Sequence, residues 1–111
     1  MHEHHQVAHL ITEILKEAQI RNLPKVSEIE IALGDALGFD EGSIKLYFET
    51  LGIDTILEGA TITFHHIPAE LLCQTCQKNF IKKGSMITCP ICGQQGIPTA
   101  IGKDFYAKFI A

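Results

Sequence analysis

Positive charge is scarce in this chain. Nine of its 111 residues are Lys or Arg against thirteen Asp or Glu, for a formal net charge of −4. Binding to nucleic acid rests on neutralising phosphates with Lys and Arg. The only local concentration here is Lys78, Lys82, Lys83 and Lys103, so no nucleic-acid partner is expected. No apolar run approaches the roughly 18 residues that would suggest a membrane span, and no membrane partner is expected. The first residues lack a basic-then-apolar export pattern, so the expected location is cytoplasmic. Internal repeats and low-complexity segments are missing. So is any nucleophile–base pair, or any catalytic metal triad outside the His-rich start, which argues against an enzyme. Cysteine is absent from the first 72 residues and the last 19.

What cysteine there is falls into two pairs, Cys73-Gln74-Thr75-Cys76 and Cys89-Pro90-Ile91-Cys92, with twelve residues between them. A C-x-x-C pair wraps two sulfurs around one ion, and two such pairs facing each other close a tetrahedral all-thiolate site. The donor softness points to zinc, with iron as the runner-up. Two disulfides would require an oxidising compartment, and a thioredoxin-like redox pair would leave the other pair idle. A closed four-thiolate site has no open coordination position, so it is structural rather than catalytic. Gly93 after Cys92 suits a tight metal-knuckle turn; Gln77 holds the matching place after Cys76, which makes the first knuckle less typical.

The rest of the chain has ordinary globular composition, 46% hydrophobic and 20% charged. Val7, Ile11, Ile14, Leu15 and Ala18, with Leu10 beside them, repeat at helical spacing, predicting a helix from about His5 to about Ile20. His5, His9, Glu13 and Lys16 fall on its other side. His5 and His9 are i,i+4 neighbours: they can share a metal or simply be solvated histidines. Asn22-Leu23-Pro24 ends the helix. Residues 26–33 alternate as a half-buried strand, and Gly34 to Asp40 form a loop with two glycines. A second helix runs from about Glu41 to about Leu51, with Ile44, Tyr47, Phe48 and Leu51 on one face, Asp40 placed to cap it and Gly52 at its exit. Residues 60–67 form another strand, on which His65 and His66 face opposite ways, and Phe105, Ala107 and Phe109 alternate in a last one. The fold class is therefore α+β: a small mixed sheet with two helices and an inserted four-cysteine zinc-ribbon subdomain. The expected division is residues 1–68 plus 99–111 as one domain and 69–98 as the insertion. An insertion of that size cannot hold a core unaided, so its metal must supply much of its folding free energy.

The first nine residues hold four histidines, His2, His4, His5 and His9. Gln6 stands where an H-E-x-x-H helix would need its second His, which excludes that motif. Because His2 is not small, Met1 is expected to be retained. The free amine, the amide nitrogens of His2 and Glu3, and the His2 imidazole can then make fused chelate rings around one ion. Nitrogen donors in a plane suit Ni(II) or Cu(II) and disfavour zinc. The bland alternative is a surface His cluster with incidental metal affinity.

Several stretches, taken together, resemble the HypA/HybF family of nickel metallochaperones for [NiFe]-hydrogenase maturation. They are Met1-His2-Glu3 before an amphipathic helix, Leu33-Gly34-Asp35, Phe48-Glu49-Thr50-Leu51, Glu58-Gly59-Ala60, the two cysteine pairs, and Gly102-Lys103-Asp104-Phe105. The resemblance covers essentially the whole chain. It implies transported Ni2+ held by His2 and Glu3, with Asp40 as a further candidate ligand, and structural Zn2+ on Cys73, Cys76, Cys89 and Cys92; His4, which lies outside the family pattern, is a candidate ligand on its own chemistry. It also implies a HypB-type GTPase and the hydrogenase large subunit as partners, with urease maturation proteins in some members. One departure is plain: His4 and His5 stand where the family carries an apolar or aromatic residue and then a small polar one. The competing class is a zinc-ribbon protein–protein adaptor without nickel function, which predicts that His2→Ala leaves metal binding unchanged.

Overall fold

The computed structural model describes residues 2–111, with the side chain of His2 outside the description. The element order is α1 (His2–Ile20), β1 (Glu28–Gly34), a 3-10 turn (Asp35–Leu37), α2 (Glu41–Leu51), β2 (Thr61–Ile67), β3 (Glu70–Cys73), β4 (Lys78–Ile81), β5 (Ile97–Pro98) and β6 (Phe105–Ile110). The strands form two three-stranded sheets, ordered β2-β1-β6 and β4-β3-β5. The chain divides into two compact units, residues 1–32, 39–65 and 105–111 in the first and 33–38 with 66–104 in the second.

In the first unit α1 packs on α2 and on β6. Its inner face is Val7, Leu10, Ile11, Ile14 and Ala18, all buried, while Leu15 sits at the margin. This is the expected stripe, with Leu10 inside it and Leu15 moved to the edge. Ile29 and Ile31 of β1, Ile44 and Phe48 of α2, and Phe109 of β6 are buried as well, and among the described residues no polar side chain is buried. Three short polar links fix the ends of the sheet. Ser27 N–H donates to Ile110 O at 2.9 Å and Gly34 N–H to Asp104 O at 2.7 Å, so β6 runs antiparallel to β1. Thr61 N–H donates to Ser27 O at 2.8 Å, which sets the start of β2 beside the start of β1. α2 is the crossover between them, the connection that a parallel neighbour requires.

One boundary differs from expectation. α1 begins at His2, not near His5. The His-rich stretch carries no apolar signal, so periodicity cannot find it. Its support is Glu3, an acidic residue in the first turn, where the helix dipole favours negative charge. The Glu3 carboxylate is further tied down by the Asp40 N–H, which donates to Oε1 at 3.2 Å. α2 matches its predicted span, and its cap is as expected: Asp40 Oδ2 accepts from Ser43 N–H at 2.9 Å.

In the second unit β3 is the central strand. It pairs antiparallel with β4 from Glu70 opposite Ile81 to Cys73 opposite Lys78, and with β5 at Leu71–Pro98 and Leu72–Ile97. Residues 33–38 are stitched to the return segment, with Ala36 N–H donating to Gly102 O at 2.9 Å. The approach is close enough that a Cβ on Gly34 would overlap the Gly102 carbonyl, and Gly102 itself has φ +93° with its bare Cα against Ala69. Apolar burial is thin here. Leu33, Ala69 and Leu71 are buried beside Cys73 and Cys89, whereas Ile81, Met86, Ile87, Ile91 and Ile97 are exposed.

Candidate metal centres

The four cysteines converge. Cys73 is the last residue of β3, and the chain turns immediately: Gln77 N–H donates to Cys73 O at 2.8 Å. The second pair makes the same turn, with Gly93 N–H donating to Cys89 O at 3.0 Å. Each turn needs a left-handed residue after its second cysteine. Gly93 supplies it at φ +77° and Gln77 at φ +58°. The first knuckle is thus built like the second, on a residue type that rarely adopts that conformation.

Across the two knuckles, Cys73 Sγ lies 3.4 Å from Cys92 Sγ and Cys76 Sγ lies 4.0 Å from Cys89 Sγ. All four sulfurs fall within 4.8 Å of one another. A tetrahedral ion with M–S bonds of about 2.3 Å sets its sulfurs about 3.8 Å apart, so the cluster fits a closed four-thiolate centre. Cys73 and Cys89 are buried, Cys76 is half-buried and Cys92 is exposed, so the site sits at the edge of its unit. The thiols are electrostatically unequal. The backbone N–H groups of Cys92 and Ile91 point at Cys89 and lower its pKa from 9.0 to about 7. The hydrogen bond with Cys92, helped by burial, pushes Cys76 up to about 12. Crowded thiols resist losing their protons one after another, and a cation at the centre removes that resistance.

At the start of α1 the described atoms are those of Glu3 and beyond, together with the backbone of His2; Met1 and the His2 imidazole lie outside them. Glu3 Oε1 accepts from Asp40 N–H at 3.2 Å, so two of the expected ligand residues, distant by 37 positions, meet. His4 instead sets its ring edge-on to Tyr47, with centroids 4.9 Å apart. The second unit holds a contact that no sequence signal reveals: His66 Nδ1 lies 3.0 Å from Asp35 Oδ1.

A family profile described as "Hydrogenase/urease nickel incorporation, metallochaperone, hypA" matches residues 1–111. The chain belongs to the HypA family. It is 32% identical over 111 residues to the hydrogenase maturation factor HypA of Caldanaerobacter subterraneus subsp. tengcongensis, covering 99% of this chain and 97% of the relative. It is also 32% identical over 110 residues to HypA of Dehalococcoides mccartyi strain CBDB1, covering 99% of this chain and 92% of the relative. Among solved structures, the solution structure of the Ni metallochaperone HypA from Helicobacter pylori superposes with a TM-score of 0.63 at 20% identity, covering 98% of this chain and 93% of that one. That likeness supports the α+β fold with its cysteine-bearing unit. No helix among the described residues is long and apolar enough to cross a membrane.

Proposed function

We propose that this HypA-family protein is a non-catalytic carrier that binds Ni(II) at its N-terminus and delivers it during [NiFe]-hydrogenase maturation. Its nickel ligands are His2 and Glu3, with Asp40 and His4 as auxiliary candidates. The observation that carries this reading is the Asp40 N–H to Glu3 Oε1 hydrogen bond of 3.2 Å, which draws a second carboxylate-bearing residue to the start of α1. The first amides of a helix have no intrahelical acceptor, so those of His2 and Glu3 are not spent on the helix. Nickel is cargo, and an exposed site of few titratable donors suits capture followed by release. The resident ion is zinc, held by Cys73, Cys76, Cys89 and Cys92. The donor set is all thiolate, and the sulfur spacing of 3.4 to 4.0 Å across the knuckles fits a tetrahedral ion. It leaves no open position, so its role is to hold the ribbon together. In this reading residues 1–68 with 99–111 handle nickel and 69–98 form the zinc-bearing insertion. The partners are a HypB-type GTPase and the hydrogenase large subunit, with urease maturation proteins as a second route, and the working compartment is the cytoplasm.

Calorimetric and absorption titration of Ni(II) into the zinc-loaded chain tests the proposal. The native chain, His2→Ala and a one-residue N-terminal extension are compared. Loss of the stoichiometric site in both variants is expected. If only His2→Ala matters, the amine is not a ligand and side chains complete the site. If neither matters, His2 carries no nickel function, and the protein–protein adaptor becomes the better reading.

A further inference from the structure

The N-terminal site leaves unused a second pair of imidazoles. His5 and His9 lie one helical turn apart on the solvent side of α1. Residues at i and i+4 hold their Cβ atoms about 5–6 Å apart, which lets two imidazoles reach one ion without moving the backbone. The pair borders an open groove of about 620 Å³ between α1 and β6, shared with Glu13, Glu17, Arg21 and Tyr106.

Charge within the groove favours a cation. His9 Nε2 lies 3.5 Å from Glu13 Oε1, one turn further on. A carboxylate facing one ring nitrogen orients the imidazole and leaves the other nitrogen open to a metal, the arrangement found behind many ligating histidines. The one guanidinium of the groove is already committed. Arg21 Nε is 3.6 Å from Glu17, and its Cζ sits 4.7 Å over the Phe109 ring. Glu13 therefore faces the histidine pair without a competing basic partner nearby in the groove.

We propose that His5 and His9 form a second, exchangeable site for a divalent transition-metal ion on the outer face of α1, separate from His2 and Glu3 and supported by Glu13. Two imidazoles select borderline ions such as Ni(II), Cu(II) or Zn(II) over Mg(II) and Ca(II). With only two protein donors, the remaining coordination positions belong to water or to a recipient's ligands, so the ion exchanges readily. The site stands on its own residues; its use as a staging point for nickel rests on the carrier reading above.

The test is Ni(II) binding to the full zinc-loaded chain in a His2→Ala background, by calorimetry and by paramagnetic broadening of imidazole proton resonances. One weak equivalent is expected to remain and to broaden His5 and His9. Adding His5→Gln or His9→Gln should weaken it at least tenfold, and adding Glu13→Gln severalfold. All three side chains are exposed, and circular dichroism checks that the helix persists. The proposal is overturned if His2→Ala leaves no nickel bound, or if the residual binding ignores both His5→Gln and His9→Gln. A tight site that survives His2→Ala and disappears with His9→Gln would sink the N-terminal reading and sustain this one.

Discussion

Gln77 is the residue at which the ribbon departs from the cheapest solution. At φ +58° it occupies the conformation that Gly93 holds at φ +77° in the partner knuckle. A left-handed side-chain-bearing residue costs roughly 1–2 kcal/mol, while glycine's extra freedom in the unfolded chain returns about 0.4–1 kcal/mol of that. Gln77→Gly should therefore stabilise the metal-loaded protein by about 0.5 kcal/mol, read as a thermal midpoint raised by a few degrees; a lower midpoint would mean that the Gln77 side chain contributes more than its strain. The sulfurs give a second prediction. An ion needs four thiolates, Cys89 reaches that state near pH 7 and Cys76 only near 12. Metal uptake at neutral pH must then expel protons, and apparent affinity must rise with pH. It should fall most steeply below pH 7, where Cys89 as well as Cys76 is protonated. Calorimetry in buffers of different ionisation enthalpy counts the protons; release of fewer than one per ion would contradict the assignment.

At the scale of the element, Asp40 carries two jobs that can be separated. Its carboxylate caps α2 through Ser43 N–H at 2.9 Å, and its own N–H anchors Glu3. Asp40→Ala should cost about 1 kcal/mol of stability, the usual loss of an N-cap. Asp40→Asn keeps a capping oxygen and should cost only a few tenths by chemical denaturation. If nickel affinity nevertheless falls in Asp40→Asn, the carboxylate is a ligand; if affinity holds, the cap is its whole role. α2 was legible in sequence because cap, apolar spacing and Gly52 exit agree. β6 was legible through its alternation, with Phe109 buried and Tyr106, Lys108 and Ile110 outward. The first turn of α1 was not, because His2 to His5 carry no apolar period and their anchor, the Asp40 amide, lies 37 residues away. The cysteine cluster could be read from spacing alone. The Asp35–His66 contact, 31 residues apart, has no local signature at all.

For the whole molecule, the contrast between the two units predicts how it comes apart. The first unit holds both helices and a continuous apolar core, whereas the second buries few apolar side chains besides Cys73 and Cys89. Stripping the metal with a chelator should collapse amide dispersion over residues 66–104 while helical circular dichroism persists. Simultaneous loss of the helical signal would show that the units share one cooperative transition. Which strands join which sheet is the part that sequence conceals most. β1 takes β6 as a neighbour across some seventy residues, and that pairing is fixed by long-range packing rather than by any local preference.

That pairing also has a temporal side. A chain is made from its first residue onward, and domains generally fold as they emerge. Here the unit begun first cannot be finished first. Its sheet waits for Phe105–Ile110, which leave the ribosome only after both cysteine pairs have been exposed. The nascent chain therefore offers four thiols to the surrounding metal pool before the sheet of the first unit is closed.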